Sequence, residues 1–488
     1  MPDRNVEDLQ QLKEVQKRQN RFSRNPARLD VPGTPELERV QRFLLNYDVQ
    51  LLHGPPVVEY AKDELVVLCL LRNGRPYIKA FIEHYFTLGA KHIVFLDNGS
   101  TDGTVEALSN YKGVSVLRTE LPFRRYQLLM RRYLTDRFGK GRWSLLVDID
   151  ELFDYPLSDV VSLEELLSYL NRHSYTAVVA HMLDMFPGEP ISRQSVMADV
   201  SLKESHRFYD LSDTFSYNYQ DAGEYRNAAS NAEIEILQGG VQHRLFKIQP
   251  LLTKHPLVFF DEEVTPVDWS EHWAGGARVA DFTGVLFHYK LLGLHDLVQQ
   301  EIKERRYVNR HGKYEKYFKV LEKSPSLLAR NETSRELESV NDLIGTQYNS
   351  ISEEYIKFAA RKEREKNGTS SDGDSIYPQL LLKPLLRARA EARAVRQRAQ
   401  GLERERRELR RQVRELESQL HKQENRRQQQ VQRAVQRAEN AVQRAENLER
   451  RLRAVQSSKT WKLMSVLGHV KRKGTGAWAY LTGRSRAT

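Results

Sequence analysis

From Leu65 to Leu183 the chain alternates short apolar runs with stretches of helical spacing. LVVLCLL (Leu65–Leu71), HIVFLD (His92–Asp97), VSVL (Val114–Leu117), SLLVDID (Ser144–Asp150) and AVVAHML (Ala177–Leu183) each have the length and apolar content of a buried strand. Between them lie Ile78–Ala90, a stretch through Val105 and Leu108, a basic segment with Arg124, Arg125, Arg131 and Arg132, and Leu163–Leu170. Their apolar residues recur as on a helix face, and Gly89 stops the first. Strand–helix alternation at this spacing predicts an α/β fold, a mostly parallel sheet covered by helices on both faces. Sheets of this kind bind ligands beyond the carboxyl ends of their strands. Asp97, Asn98 and the cluster Asp148–Glu151 all fall at such ends.

The flanks follow other patterns. Residues 1–60 read as a helical extension, with helical spacing at Leu9, Leu12 and Val15 and again at Val40, Phe43 and Leu44, interrupted by Pro26, Pro32 and Pro35. Pro187–Gly240 is loose and polar, the composition of a surface excursion or an active-site cover. GGVQHRLFKI (Gly239–Ile248), HPLVFF (His255–Phe260) and GVLFHYKLL (Gly284–Leu292) then read as strands. The first is a basic one through His243, Arg244 and Lys247. Residues 61–295 thus form the expected α/β domain, 296–362 a helical flank, and 363–384, containing NGTSSDGDS, a linker.

Over residues 385–456 the period changes to heptads. Val395, Leu402, Leu409 and Leu416 recur every seven residues. Further on, Val431, Ala434, Ala438, Ala441, Ala445, Leu448, Leu452 and Val455 alternate steps of three and four, and AVQRAEN is repeated back to back. The seam predicts a coiled coil and self-association. Its two registers do not join smoothly, so a break is expected across Lys422–Gln430.

Charge sharpens this division. Of the net +11, residues 385–456 hold 20 Lys/Arg against 10 Asp/Glu and residues 457–488 seven against none, which leaves residues 1–384 at −6. A mildly acidic body does not support nucleic-acid binding. The tail, residues 457–488, sets Trp461, Leu463, Met464, Leu467, Trp478, Tyr480 and Leu481 among Lys and Arg, a composition suited to an anionic membrane surface or to a partner protein. The chain has one cysteine, Cys69, which excludes an internal disulfide framework and points to a reducing compartment. Without an apolar leader or membrane span, the expectation is a cytoplasmic protein that could sit peripherally on the inner membrane face.

Chemistry concentrates in WSLLVDIDELF (Trp143–Phe153). At the end of this strand Asp148 and Asp150 point to one side, as residues i and i+2 of a strand do. Two carboxylates so placed suit a hard divalent cation, Mg²⁺ or Mn²⁺, shared with a phosphate. The alternative is an ordinary strand end followed by an acidic cap.

FLDNGSTDGT (Phe95–Thr104) resembles the nucleotide-binding loop of family 2 glycosyltransferases, and VDIDE resembles the DxD metal motif of the GT-A fold. Taken with LFHYKLL and the sequence leading into the loop, the chain from Asp63 to Leu292 is similar to family 2-like, family 92-type enzymes. The resemblance implies a GT-A fold and metal-dependent transfer of a sugar, with inversion, from a nucleotide-sugar donor to a hydroxyl of a glycan, lipid-linked or protein acceptor during surface-glycan assembly. It implies Asp97 on the base or ribose, Asp102 shaping the loop or touching the ribose, and Arg72 near the phosphates. Asn98 stands where many relatives carry a second Asp. Asp148 and Asp150 would hold the metal, with Asp148 alternatively on the ribose. His288 is placed like a late metal-binding histidine, and Lys290 faces the diphosphate. Asp184 is the first candidate for the general base, ahead of Glu204 and Glu235.

Two other readings compete. A degenerate transferase domain could serve a coiled-coil scaffold, which Asn98 permits and the intact Asp97, Asp148 and Asp150 oppose. A nucleotidyltransferase would use a similar acidic pair, but the Gly-rich basic loop that cradles a triphosphate is missing after the first strand.

Overall fold

The computed structural model describes residues 35–191, 201–221, 227–266, 273–304, 312–368 and 376–457. The first predicted N-terminal helix and the basic aromatic tail lie outside these residues. By its contacts the chain divides into two units, 1–390 and 391–488.

The first unit is an α/β domain built on a ten-stranded sheet. In chain order its strands are β1 (Gln50–His53), β2 (Val66–Leu71), β3 (His92–Asp97), β4 (Val114–Arg118), β5 (Trp143–Val147), β6 (Glu151–Asp154), β7 (Ala177–Asp184), β8 (Ala228–Ala229), β9 (Thr253–Phe259) and β10 (Arg278–His288). Across the sheet they run β1-β4-β3-β2-β5-β9-β7-β10-β8, with β6 also paired to β10. The pairs among β4, β3, β2 and β5 are parallel, as is β7 with β10, while β9 lies antiparallel between β5 and β7.

Burial on both faces explains why β2 and β3 are continuous apolar runs. Alternate residues of β2 point opposite ways. Val67, Cys69 and Leu71 pack with Ile78, Phe81, Ile82 and Tyr85 of α2 (Ile78–Leu88). Val66, Leu68 and Leu70 pack with Leu45 of α1 (Pro35–Asp48) and with Tyr126, Met130 and Leu134 of the basic helix Phe123–Leu134. Gly89, at φ 109°, closes α2 by donating to the Phe86 carbonyl, a left-handed turn that favours glycine. Helix Leu163–Arg172 starts at a capping box between Ser162 and Glu165.

Two expectations change. The segment Gly239–Ile248 is not a basic strand: Gly239 and Gly240, at φ 96° and 67°, turn the chain into a short helix, Val241–Phe246. Its Val241 and Phe246 enter a satellite core with Tyr314 and Tyr317, a packing that the apolar content alone did not separate from a strand. The expected linker is narrower, since helix Glu353–Asn367 extends into it and a second helix begins at Ile376. That second helix runs unbroken to Ser457, through Lys422–Gln430 where a break was expected. Polar residues interrupt the seam there without interrupting the backbone hydrogen bonds. Among the described residues no helix is long and apolar enough to cross a membrane.

Candidate active site

The carboxyl ends of β2, β3, β5, β7 and β10 meet along one edge, and the predicted site residues lie on it. Register places them together: Leu71 of β2 pairs with Asp97 of β3, and His288 of β10 pairs with both Asp184 of β7 and Glu151 of β6.

Asp97 is fully buried and accepts from the Ser100 backbone N–H at 3.1 Å, with the Arg118 guanidinium 3.8 Å away. Asn98 donates its amide to the Thr119 and Leu121 carbonyls at 3.1 and 2.9 Å. An ionised aspartate cannot donate, which gives a physical reason for an amide here. Asp102 accepts from the Thr104 backbone N–H at 3.0 Å and from Arg75 N–H at 3.2 Å, so it organises the turn. Half-buried Arg72 follows β2 directly, and next to it Asn73 binds across to Ser100 and Thr101, which ties this turn to the Asp97 loop.

The DxD segment is not a strand continuation. Strand β5 ends at Val147, and Glu151 N–H closes a turn onto the Asp148 carbonyl at 3.0 Å before β6 begins. The turn separates the two aspartates instead of aligning them on one strand face. Asp148 meets Arg131 at 2.6 Å and Lys254 at 3.3 Å, while Asp150 meets His288 and Lys290, each at 3.6 Å. Lys254 also holds Glu151 at 2.6 Å, and both are nearly inaccessible to solvent. Burial favours the neutral form of both aspartates, but the facing cations outweigh it and hold each carboxyl well below its usual range.

Asp184 stands behind His288, not beside open space. Its side chain is 2% exposed and accepts from His288 Nδ1 at 2.7 Å. Gln242 donates to both of its oxygens at 3.1 Å and is itself held by the Tyr317 hydroxyl. This chain fixes the imidazole with Nε2 towards Asp150. Burial would lower the His288 pKa, yet its contacts with Asp150 and Asp184 prevail and raise it to about 9.

The donors partly fit a divalent cation. Asp150 Oδ2 and His288 Nε2 supply one oxygen and one nitrogen, and a carboxylate on the far imidazole nitrogen is the usual orientation of a metal-binding histidine. No ready-made cage of three or more His, Cys, Asp or Glu converges among the described residues. Asp148 is already neutralised by two cations. Asp150 and His288 are thus the two side chains that could ligate such an ion, and its other ligands would have to come from outside the protein.

Sequence reasoning missed Lys254, Gln242 and Tyr317, and assigned Arg131 no role. Only Lys254 left a signal: a lysine inside a buried strand requires a carboxylate partner. Of the weaker base candidates, Glu235 is buried on the strand Glu235–Gly239 and Glu204 lines a different cavity. That cavity, of about 740 Å³, opens between α2 and Asp154–Leu163 and contains none of the residues gathered at the acidic edge. No family model and no curated protein matches this chain.

Proposed function

We propose that the acidic edge binds a nucleotide-sugar and that the domain is a glycosyltransferase of the GT-A type. The observation that carries this reading is the meeting of Asp97, Asp150, His288 and Lys290 at the carboxyl edge of one sheet, with Arg131 and Lys254 beside them. Asp97 and its loop would receive the nucleoside. Arg131 and Lys290, now paired with carboxylates, would turn towards the diphosphate. Asp150 and His288 would hold Mn²⁺ or Mg²⁺, which when bound supplies Lewis-acid assistance to the departing diphosphate. Asp184 is a positioning residue in this scheme: its oxygens are engaged by Gln242 and His288, which leaves it poorly placed to take a proton from an acceptor hydroxyl.

Calorimetric titration of a nucleoside diphosphate panel, with and without Mn²⁺, tests the reading on wild type and Asp150→Asn. The expected result is metal-dependent binding of one nucleotide that weakens at least about tenfold in the variant. A well-folded wild type that binds nothing in the panel would sink the transferase reading and favour the scaffold.

A further inference from the structure

The helix Ile376–Ser457 carries a stripe of apolar side chains that nothing in the described chain covers. Leu409, Val413, Leu416, Leu420, Val431, Val435, Val442, Leu448 and Leu452 are 51–64% exposed. We propose that the stripe is covered by the same helix of a second copy of this chain, parallel and in register, as a two-stranded coiled coil. This does not depend on the function proposed above.

The spacing supplies the seam. Val413, Leu420, Ala434, Ala441 and Leu448 fall in one row at multiples of seven. Its companion row is Leu409 and Leu416, then Val431, Ala438, Ala445 and Leu452. From Leu416 to Val431 is 15 residues where two heptads would give 14, so the companion row steps by one position across the polar stretch Lys422–Gln430. A helix that continues through this stretch can absorb the step as a local change in supercoil.

Charge selects the orientation. In the second block Arg437, Arg444 and Arg451 flank one side of the seam, and Val435, Val442 and Glu449 flank the other. In a parallel pair a residue on the arginine flank faces the residue five positions further along the partner. Arg444 then meets Glu449 of the partner subunit, twice by symmetry, and Arg437 meets an apolar side chain. An antiparallel pair centred on this block sets the arginine row against itself, Arg444 on Arg444 and Arg437 on Arg451. Like charges facing at that distance are repulsive, so the parallel arrangement is the one that the sequence permits. Glu449 also holds Arg453 of its own helix at 2.8 Å, which keeps its carboxylate on this flank.

The full chain is the material for the test. Light scattering at tens of micromolar is expected to give the mass of a dimer. Cys69 is buried, so Ala441→Cys provides a single accessible thiol, and mild oxidation should link two chains through it. Arg444→Glu is expected to weaken the dimer roughly threefold to tenfold, and Arg444→Glu with Glu449→Arg to restore it. In an antiparallel dimer Arg444→Glu would exchange one like-charged pair for another and leave the dimer as strong as wild type, and Ala441→Cys would not cross-link; either result overturns the proposal. A monomeric mass overturns it as well, provided the thermal transition of the body is intact.

Discussion

Two acidic turns leave the sheet at the same edge, and they satisfy their charges in different ways. The Asp97 loop is satisfied mostly by backbone groups: Asp97 accepts from the Ser100 N–H, Asp102 from the Thr104 and Arg75 N–H groups, and Asn98 donates to two carbonyls. The Asp148–Glu151 turn is satisfied by side-chain cations from other elements: Arg131 of the helix 17 residues upstream, Lys254 of β9, and Lys290 in the turn just after β10. Backbone donors are fixed by the loop that carries the acid. Side-chain cations can swing to a new anion. The first turn is therefore fixed by backbone, and the second is held by charges that a phosphate, on the proposed function, would rearrange.

The largest effect separating the two turns is expected from their cations. Lys254→Met leaves Glu151, almost fully buried, without its cation and removes one of the two on Asp148. Loss of one partner of a buried pair costs roughly 3–5 kcal/mol. Arg118→Met removes the cation near Asp97, but Arg118 is 32% exposed and 3.8 Å away, so the cost is at most about 1 kcal/mol. Urea unfolding of both variants checks this. Equal costs would erase the distinction drawn between the turns.

How the sequence showed these features also differs between the turns. Strands β2 and β3 were legible because both faces are buried, which makes each a continuous apolar run with sharp ends. The Asp97 loop was legible because its motif residues are contiguous in sequence, although Asn98 and Asp102 reach partners 21–27 residues away. Asp148 and Asp150 were legible as acids but not in their geometry: whether β5 stops at Val147 depends on Glu151 folding back, and β6 forms only because β10 is there to pair with it. Gln242 and Tyr317 reach the site through sheet order and a satellite core, information that no local window holds, while Lys254 showed only as a lysine in a buried strand, without its partners. The helix Val241–Phe246 was misread for the same reason, since its identity rests on packing against Tyr317.

A smaller effect, and one with a sign, comes from His288. Its folded pKa of about 9 lies above the ordinary value of 6.5. A raised imidazole contributes stability that is complete below pH 6.5 and is lost as pH rises through about 9. The stability gap between wild type and His288→Gln should therefore shrink between pH 6.5 and 10, by an amount on the order of 2 kcal/mol. Other titrations largely cancel in that difference. A gap that stays flat across the window would mean that Asp150 and Asp184 do not hold the proton, and the Asp148–Glu151 turn would lose one of the cations that define it.

The smallest effect sharpens the backbone-held Asp97 turn. Asp102→Ala removes acceptors for the Thr104 and Arg75 backbone N–H groups, where the turn leads into the helix Thr104–Leu108. Loss of a cap-like acceptor costs about 1 kcal/mol. Because the Asp102 oxygens are already committed to the turn, nucleotide affinity should change by no more than roughly threefold, which corresponds to about 0.7 kcal/mol. Asp97→Asn, by contrast, should on the proposed function weaken nucleotide binding much more than it weakens the fold, since its neutral amide keeps the shape of the loop and loses only its charge. Unfolding and calorimetry on the two variants place each acid on one side of that line. If Asp102→Ala abolished binding with the fold intact, Asp102 would be a ligand-contacting residue, and the proposed nucleotide site would rest on two acids of this loop instead of one.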